Sequence, residues 1–338
     1  MNRINISSRR YLGNKYKLLP FIKGVVERNC VDVHSFFDVF AGTGAVASAF
    51  TDCRLFVNDL MRSNYITALA WFSSESFDRG KVIEILSYFN SYDASKECNY
   101  FSENFSNTYF SRLVSQKIGF IRDSVDKFLR LGEINQREWA LIITSLFYSM
   151  DRIAATCGHY DSFIQGANLP QEMILKLPNV DYDLAPDNII LNCNANAIAD
   201  TIQCDIAYLD PPYNSRQYCD AYHLLENLAL WEKPKVYGVA RKMDRTHMKS
   251  EYCRTTASLQ LEDLVNKLNA RYIMLSYNNN GKKLQLRSNA KISDDDILRI
   301  LSARGDVKIF TTDYRPFSAG KGENTGNQER LFLCAVQR

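Results

Sequence analysis

The chain has 338 residues, 46% of them hydrophobic and 23% charged, enough to bury a large core in one α/β domain or in a core domain carrying an inserted one. Its formal net charge is only +3, which excludes a nucleic-acid argument from overall charge and leaves local basic clusters to make one. Nine cysteines without a CxxC pair and four scattered histidines (His34, His159, His223, His247) disfavour a disulfide framework and a zinc site. With no apolar leader in MNRINISSRR and no long apolar run, the expected setting is reducing and cytoplasmic.

Taken in chain order, the first feature is basic: Arg3, Arg9, Arg10, Lys15, Lys17, Lys23 and Arg28 face only Glu27. SFFDVF (35–40) then predicts a buried parallel strand, and AGTGAVASAF (41–50) a glycine turn passing into a helix. RLFVND (54–59) predicts a second strand ending in a carboxylate. Residues 62–155 read as almost all helix, EWALIITSLFYSM among them, and the segment to 187 is punctuated by Pro170, Pro178 and Pro186. Strand signals resume with NIILNC (188–193), IAYLD (206–210), RYIMLSY (271–277), DVKIFTT (306–312) and RLFLCAV (330–336). A helix is predicted over 293–303, with Ser293 as its N-cap and Asp294, Asp295 and Asp296 in the first turn, where the helix dipole favours anions. The expected organisation is an α/β sheet domain from 1–61 and 188–338, interrupted by a helical insertion over 62–187.

FAGTGA places Gly42 and Gly44 after a strand, where the backbone can approach a ligand. The dinucleotide pattern GxGxxG is incomplete, since position 47 is alanine, and no Walker lysine follows. Asp59 ends the next strand, where a carboxylate can accept from both hydroxyls of a ribose. Asp38 adds a second carboxylate beside the turn. Such a negative rim suits a cationic ligand better than a pyrophosphate.

Asp210-Pro211-Pro212-Tyr213 closes the strand IAYLD, at the edge where open α/β sheets bind ligands. A turn of purely structural purpose would use Pro-Pro equally well. The chemical reading is narrower. An exocyclic amine on a nucleobase is a poor nucleophile because its lone pair is delocalised into the ring, and its attack on a methyl group needs two acceptors to draw the N–H bonds out of plane. Asp210 supplies one, a backbone carbonyl fixed by the prolines the other, and Tyr213 a face for an extruded base, worth roughly 1–3 kcal/mol in comparable contacts.

These motifs together resemble the adenine-N6 DNA methyltransferases, in the group whose order runs from an N-terminal cofactor motif through the glycine motif to a late DPPY. RYLGNKYKLLPFI (10–22) is similar to that first motif, with Tyr11 and Lys15 at its cofactor-contacting positions. The resemblance implies a Rossmann-like S-adenosylmethionine-dependent methyltransferase fold with a mostly helical inserted domain. It implies S-adenosylmethionine as cofactor, with Asp38, Phe40, Gly42, Gly44 and Asp59 around it. It makes Asp210, Pro211, Pro212 and Tyr213 the catalytic tetrad, with Asp210 also touching the methionine end. In LNCNANAIAD (191–200) the family usually has Asp for the adenine amino group of the cofactor, and Asn194 stands there. NSRQYCDAYHLLENLA (214–229) and CGHYDSF (157–163) are similar to segments of restriction–modification methyltransferases.

The function implied is methylation of N6 on a flipped adenine, since an aspartate leading the tetrad goes with adenine, with double-stranded DNA and a cognate restriction endonuclease as partners. The helical insertion would hold target recognition, with Tyr109, Asn104 and Gln116 either reading bases or serving as ordinary helix surface or core. The basic run 233–254, interleaved with Tyr237, His247 and Tyr252, would line the DNA cleft. Open alternatives are the same chemistry on RNA, a DNA-binding protein that kept the fold without catalysis, and a nicotinamide-dependent oxidoreductase built on the glycine turn.

Overall fold

The computed structural model describes residues 5–9, 11–180, 184, 187–213, 215–278, 292–313 and 328–337; Arg3, Arg10, Pro186 and Asn214, all named above, lie outside them. The helices are α1 (Leu19–Asn29), α2 (Arg62–Phe72), α3 (Arg79–Ser91), α4 (Tyr100–Phe105), α5 (Arg112–Arg130), α6 (Gln136–Ile153), α7 (Ala195–Ile198), α8 (Tyr218–Ala221), α9 (His223–Leu230), α10 (Ala257–Lys267) and α11 (Asp294–Ser302). The strands are β1 (Ser35–Asp38), β2 (Arg54–Asn58), β3 (Ile189–Leu191), β4 (Gln203–Leu209), β5 (Asn269–Asn278), β6 (Gly305–Asp313) and β7 (Gln328–Val336). Two compact units divide the chain. One comprises Gly13–Leu60, Ala185–Tyr218 and His247–Arg338; the other comprises Met1–Leu12, Met61–Leu184 and Cys219–Thr246.

The first unit is built on one seven-stranded sheet of order β3-β2-β1-β4-β5-β7-β6. Its first five strands in that order are parallel, and β7 runs antiparallel to both β5 and β6. This is the Rossmann-like methyltransferase sheet expected from the sequence. Buried apolar runs form the parallel strands β1, β2, β4 and β5 because helices cover the sheet there, while β3 at the edge is partly exposed. Phe37, Phe56, Ala207, Ile273 and Leu275 join Leu261, Leu264 and Val265 of α10 and Ile297 and Leu301 of α11 in a single apolar cluster. On alternate positions, Phe36 points the other way and stacks on Phe50, with ring centroids 4.1 Å apart. Ser293 caps α11 as expected, its hydroxyl accepting from the Asp296 amide at 3.1 Å.

The strand order reverses between β1 and β4. There the Val39 amide donates to the Tyr208 carbonyl at 3.0 Å, so the chain leaves β1 and β4 side by side and in the same direction. One expectation fails at this point. The glycine turn leads not into a helix but into a single 3-10 turn, Ala47–Ala49. The Asp38 carboxylate accepts from the Ala47 amide at 3.2 Å and seats that turn, and the next residue, Phe50, drops onto Phe36, ending any helical course before β2 begins.

The second unit is helical, α2 to α6 and α9, and residues 154–180 add no helix or strand to it. α2 and α6 are buried nearly all round, and in α2 the sequence accordingly lacks an amphipathic stripe. A reciprocal cap between Asn135 and Glu138 starts it, and Ser111 caps α5. Buried Glu226 of α9 accepts from the amides of Arg62 and Ser63 at 2.9 and 2.7 Å, satisfying the N-terminus of α2. Among the described residues, no helix is long and apolar enough to cross a membrane, and no group of side chains is placed to hold a metal ion.

Candidate active site

Around the reversal point the chain makes three excursions from the C-terminal ends of neighbouring strands. The first holds Gly42 and Gly44, with φ of +54° and +78°, a conformation that glycine adopts without the steric cost a side chain brings. Asp59, at the end of β2, accepts the Gly42 amide on Oδ2 at 2.7 Å. Next to it, buried Asn58 donates to the carbonyls of Val39 and Cys193, both at 3.1 Å, and accepts the Cys193 amide at 3.0 Å. One amide thus ties together the ends of β1, β2 and β3. Sequence reasoning missed Asn58, although a lone amide closing an apolar strand was a visible signal.

Asp38 closes β1 and is 1% exposed. Its Oδ2 receives the Ala47 amide, while Oδ1 is buried without a hydrogen-bond partner among the described residues. Burial pushes the carboxyl up to about 8; the Ala47 amide works against that, and the nearby charges of Asp210 and Asp59 add to it.

After β4 comes Asp210-Pro211-Pro212-Tyr213. Asp210 receives the Lys15 ammonium on Oδ1 at 3.0 Å, and the same ammonium lies 3.3 Å from Oε1 of Glu329. Glu329, 2% exposed, also accepts from the Ser276 hydroxyl at 2.6 Å and from the Asn278 side chain at 3.2 Å. Burial raises the Asp210 carboxyl to about 6, with Lys15 pulling it down and Glu329 pushing it up. Lys15 is fully charged: burial opposes its charge, but Asp210 and Glu329 outweigh burial and hold it well above the ordinary lysine value. The ammonium also stands 5.8 Å from the centroid of the Tyr213 ring, whose edge-on neighbour is Tyr277 at 6.1 Å. Glu329, Ser276 and Asn278 were not legible as site residues, because strand pairing alone brings them to this rim.

Of the other expected positions, Phe40 packs edge-on against Tyr252, centroids 5.1 Å apart. Asn194 is exposed and caps α7, its side-chain oxygen accepting from the Asn196 amide at 2.9 Å. Tyr11 belongs to the helical unit, stacked on Tyr222 at 4.5 Å with its hydroxyl accepting from Asn64 at 2.9 Å. Lys15, Asp38, Phe40, Gly42, Gly44, Asp59, Asn194 and Asp210 through Tyr213 all belong to the sheet unit.

Several residues considered for DNA contact have structural work instead. Tyr252 is buried and donates to Asn196 at 2.8 Å, so it is unavailable to a cleft. Tyr109 is fully buried and donates to the carbonyls of Tyr160 and Ala240, both at 2.9 Å; Gln116 is buried and donates to those of Ser95 and Glu97. Asn104 bonds back to the Tyr100 carbonyl of its own helix. Within the CGHYDSF segment Tyr160 donates to Asp151 at 2.7 Å and its carbonyl meets the His223 ring at 2.8 Å, an internal brace. Lys233, Lys242, Arg245 and Arg254 are paired with Asp123, Asp161, Asp220 and Glu251. Lys235 and Arg241 are exposed, on a turn where Tyr237 and Lys242 bridge and where Tyr237 is 57% and Val239 72% exposed.

The model of the D12 class N6 adenine-specific DNA methyltransferases matches residues 11–285. Modification methylase StsI of Streptococcus sanguinis is 31% identical over 348 residues, covering 97% of this chain and 52% of its own length. Type II methyltransferase M.FokI of Planomicrobium okeanokoites is 30% identical, with 97% and 52% covered. Type II methyltransferase M.NlaIII of Neisseria lactamica is 27% identical, with 94% and 95% covered. The chain therefore spans about half the length of the first two relatives and nearly all of the third. By the extent of the family match, the chain belongs to the D12 class N6 adenine-specific DNA methyltransferase family.

Proposed function

We propose that the chain transfers a methyl group from S-adenosylmethionine to N6 of an adenine flipped out of double-stranded DNA. The observation that carries this is the pair of carboxylates at the strand reversal: Asp210 behind its proline corner, and Asp38 with one buried oxygen unmatched. The residues present fit the cofactor. Asp59 and Asp210 set negative charge beside the turn, Asp38 adds a buried carboxyl that a bound cation would ionise, and the positive-φ glycines bring bare backbone to it. S-adenosylmethionine, when bound, supplies an electrophilic methyl carbon on a sulfonium. Asp59 would hold the ribose hydroxyls, Phe40 would flank the nucleoside, and Asn194 would offer its carbonyl to the cofactor's adenine amine; Lys15 completes the set within the sheet unit.

Asp210 accepts one N–H of the target amine, and the Pro211 carbonyl, held by two fixed φ angles, accepts the other. Drawn this way, the nitrogen lone pair leaves the ring plane and the charge developing on nitrogen meets an anion. Tyr213 offers a stacking face to the base. Lys235 and Arg241, on the exposed turn with Tyr237 and Val239, suit contact with a phosphate backbone. The relatives' names, modification methylase and type II methyltransferase, support a place in a restriction–modification system, with a cognate endonuclease as partner.

The test is incubation with methyl-labelled S-adenosylmethionine and DNA, RNA and protein acceptors, followed by nucleoside analysis. N6-methyladenine in DNA is expected, and Asp210→Ala should abolish it while leaving thermal unfolding largely intact. Label in RNA or protein alone, or near-normal transfer by the Asp210 variant, would overturn the assignment.

A further inference from the structure

We propose that Glu329 is a positioning residue for methyl transfer, acting through Lys15 to hold the Asp210 carboxylate in its accepting orientation. This rests on the reading of Asp210 given above, and it concerns a residue outside the 11–285 matched to the family.

A lysine ammonium is a compact charge on a flexible four-carbon stem and has three donors to satisfy when buried. Lys15 precedes a 3-10 turn, Tyr16–Leu18, and lies outside any helix or strand that would fix its side chain. One carboxylate, Asp210, would neutralise it. The structure supplies two, Asp210 at 3.0 Å and Glu329 at 3.3 Å, leaving the buried group with an excess negative charge. An extra buried anion is costly and is a poor source of stability. What it provides is geometry. Glu329 pairs directly with Asn278 in the β5–β7 ladder, and its two oxygens are held by Ser276 and Asn278, so it is fixed to the sheet. The ammonium is thereby tethered at one end to the sheet and at the other to Asp210, and it cannot follow an incoming ligand.

Sharing the cation has a second effect. An ammonium devoted to Asp210 alone would occupy its lone pairs and weaken it as an acceptor. Glu329 draws part of that charge away, in keeping with its upward push on the Asp210 carboxyl. The groups facing Asp210 are Lys15, Glu329 from β7, Tyr208 from β4, Asp38 from β1 and, across the lysine, Tyr213. Glu329 reaches Asp210 through the shared ammonium, so its removal changes charge while Asp210 and Tyr213 stay in place.

The experiment uses the full chain with Glu329→Gln, which keeps shape and removes charge. Single-turnover transfer to DNA at saturating donor should fall roughly tenfold, with the donor's apparent affinity changed less than about threefold. Carboxyl-carbon NMR of the ligand-free protein should show the Asp210 midpoint moved to lower pH. An unmoved midpoint together with a normal rate would overturn the proposal. Should the Gln variant fail to fold, Asn278→Ala, which loosens Glu329 but keeps its charge, should slow transfer several-fold without moving the midpoint, and normal transfer by that variant would equally overturn it. Absence of adenine methylation by the unaltered chain would strike the function and not this network, since the NMR midpoint is read without turnover.

Discussion

Asp38→Asn should make the ligand-free protein more stable and its cofactor binding worse. In the folded chain this carboxyl is held at about 8, against an ordinary value of 3.8, by burial first of all. Because the shift is upward, the fold favours the neutral acid. The penalty is absent below pH 4, grows as pH rises, and levels off above about 8. At pH 7 the unfolded chain has this group ionised, and folding must load a proton over about three pH units, which costs about 4 kcal/mol; at pH 5 the same arithmetic leaves between about 1 and 2 kcal/mol. Asparagine carries no such proton and can still accept the Ala47 amide. Urea unfolding of both proteins at pH 5, 6 and 7 should therefore show a gap that widens with pH in favour of the variant. Calorimetry with S-adenosylmethionine in buffers of different ionisation enthalpy should show proton release on binding to the unaltered protein near pH 7, and none from position 38 in the variant. A stability gap that is flat from pH 5 to 7, or donor binding by the Asp38→Asn variant as tight as normal, would refute the reasoning.

The acid limb of single-turnover methyl transfer, measured at saturating donor and DNA, should lie no higher than about pH 6. Asp210 must be ionised to accept, its folded value is raised to about 6, and a bound cation can only lower it; a limb above pH 7 would point to another group. Asp59→Ala should weaken donor binding by roughly tenfold or more, since it loses both the proposed ribose contact and the bond that seats Gly42, while leaving the transfer step nearly intact once donor saturates. Isothermal titration separates these two quantities, and a loss confined to the transfer step would count against a cofactor role.

The sheet was readable because each parallel strand is a short apolar run closed by a polar residue, and because Asp38, Asp59 and Asp210 each come at the end of such a run. The glycine turn was readable in kind but not in outcome. Nothing local forbids a helix after Gly44; the 3-10 turn results from Asp38 capturing the Ala47 amide and Phe50 seeking Phe36, both contacts set by the tertiary fold. Lys15 was readable as a site residue, but its partners Asp210 and Glu329 lie far along the chain and meet it only through strand order. Tyr109, Gln116 and Tyr252 show the opposite failure. Residue type marked them as fit to touch bases, and burial, which type does not disclose, placed them in the interior.

The backward course of β7 has its own consequence. In a sheet whose other central strands all point one way, a strand laid in reverse delivers its beginning, not its end, to the ligand-binding margin. Glu329 stands opposite Asn278 for that reason, while Ala335 is carried back to Tyr272. A late segment of the chain thus contributes an anion to chemistry organised by residues 15 and 210. Had β7 run with its neighbours, the apolar end of the strand would face the lysine, and the ammonium would have one tether instead of two.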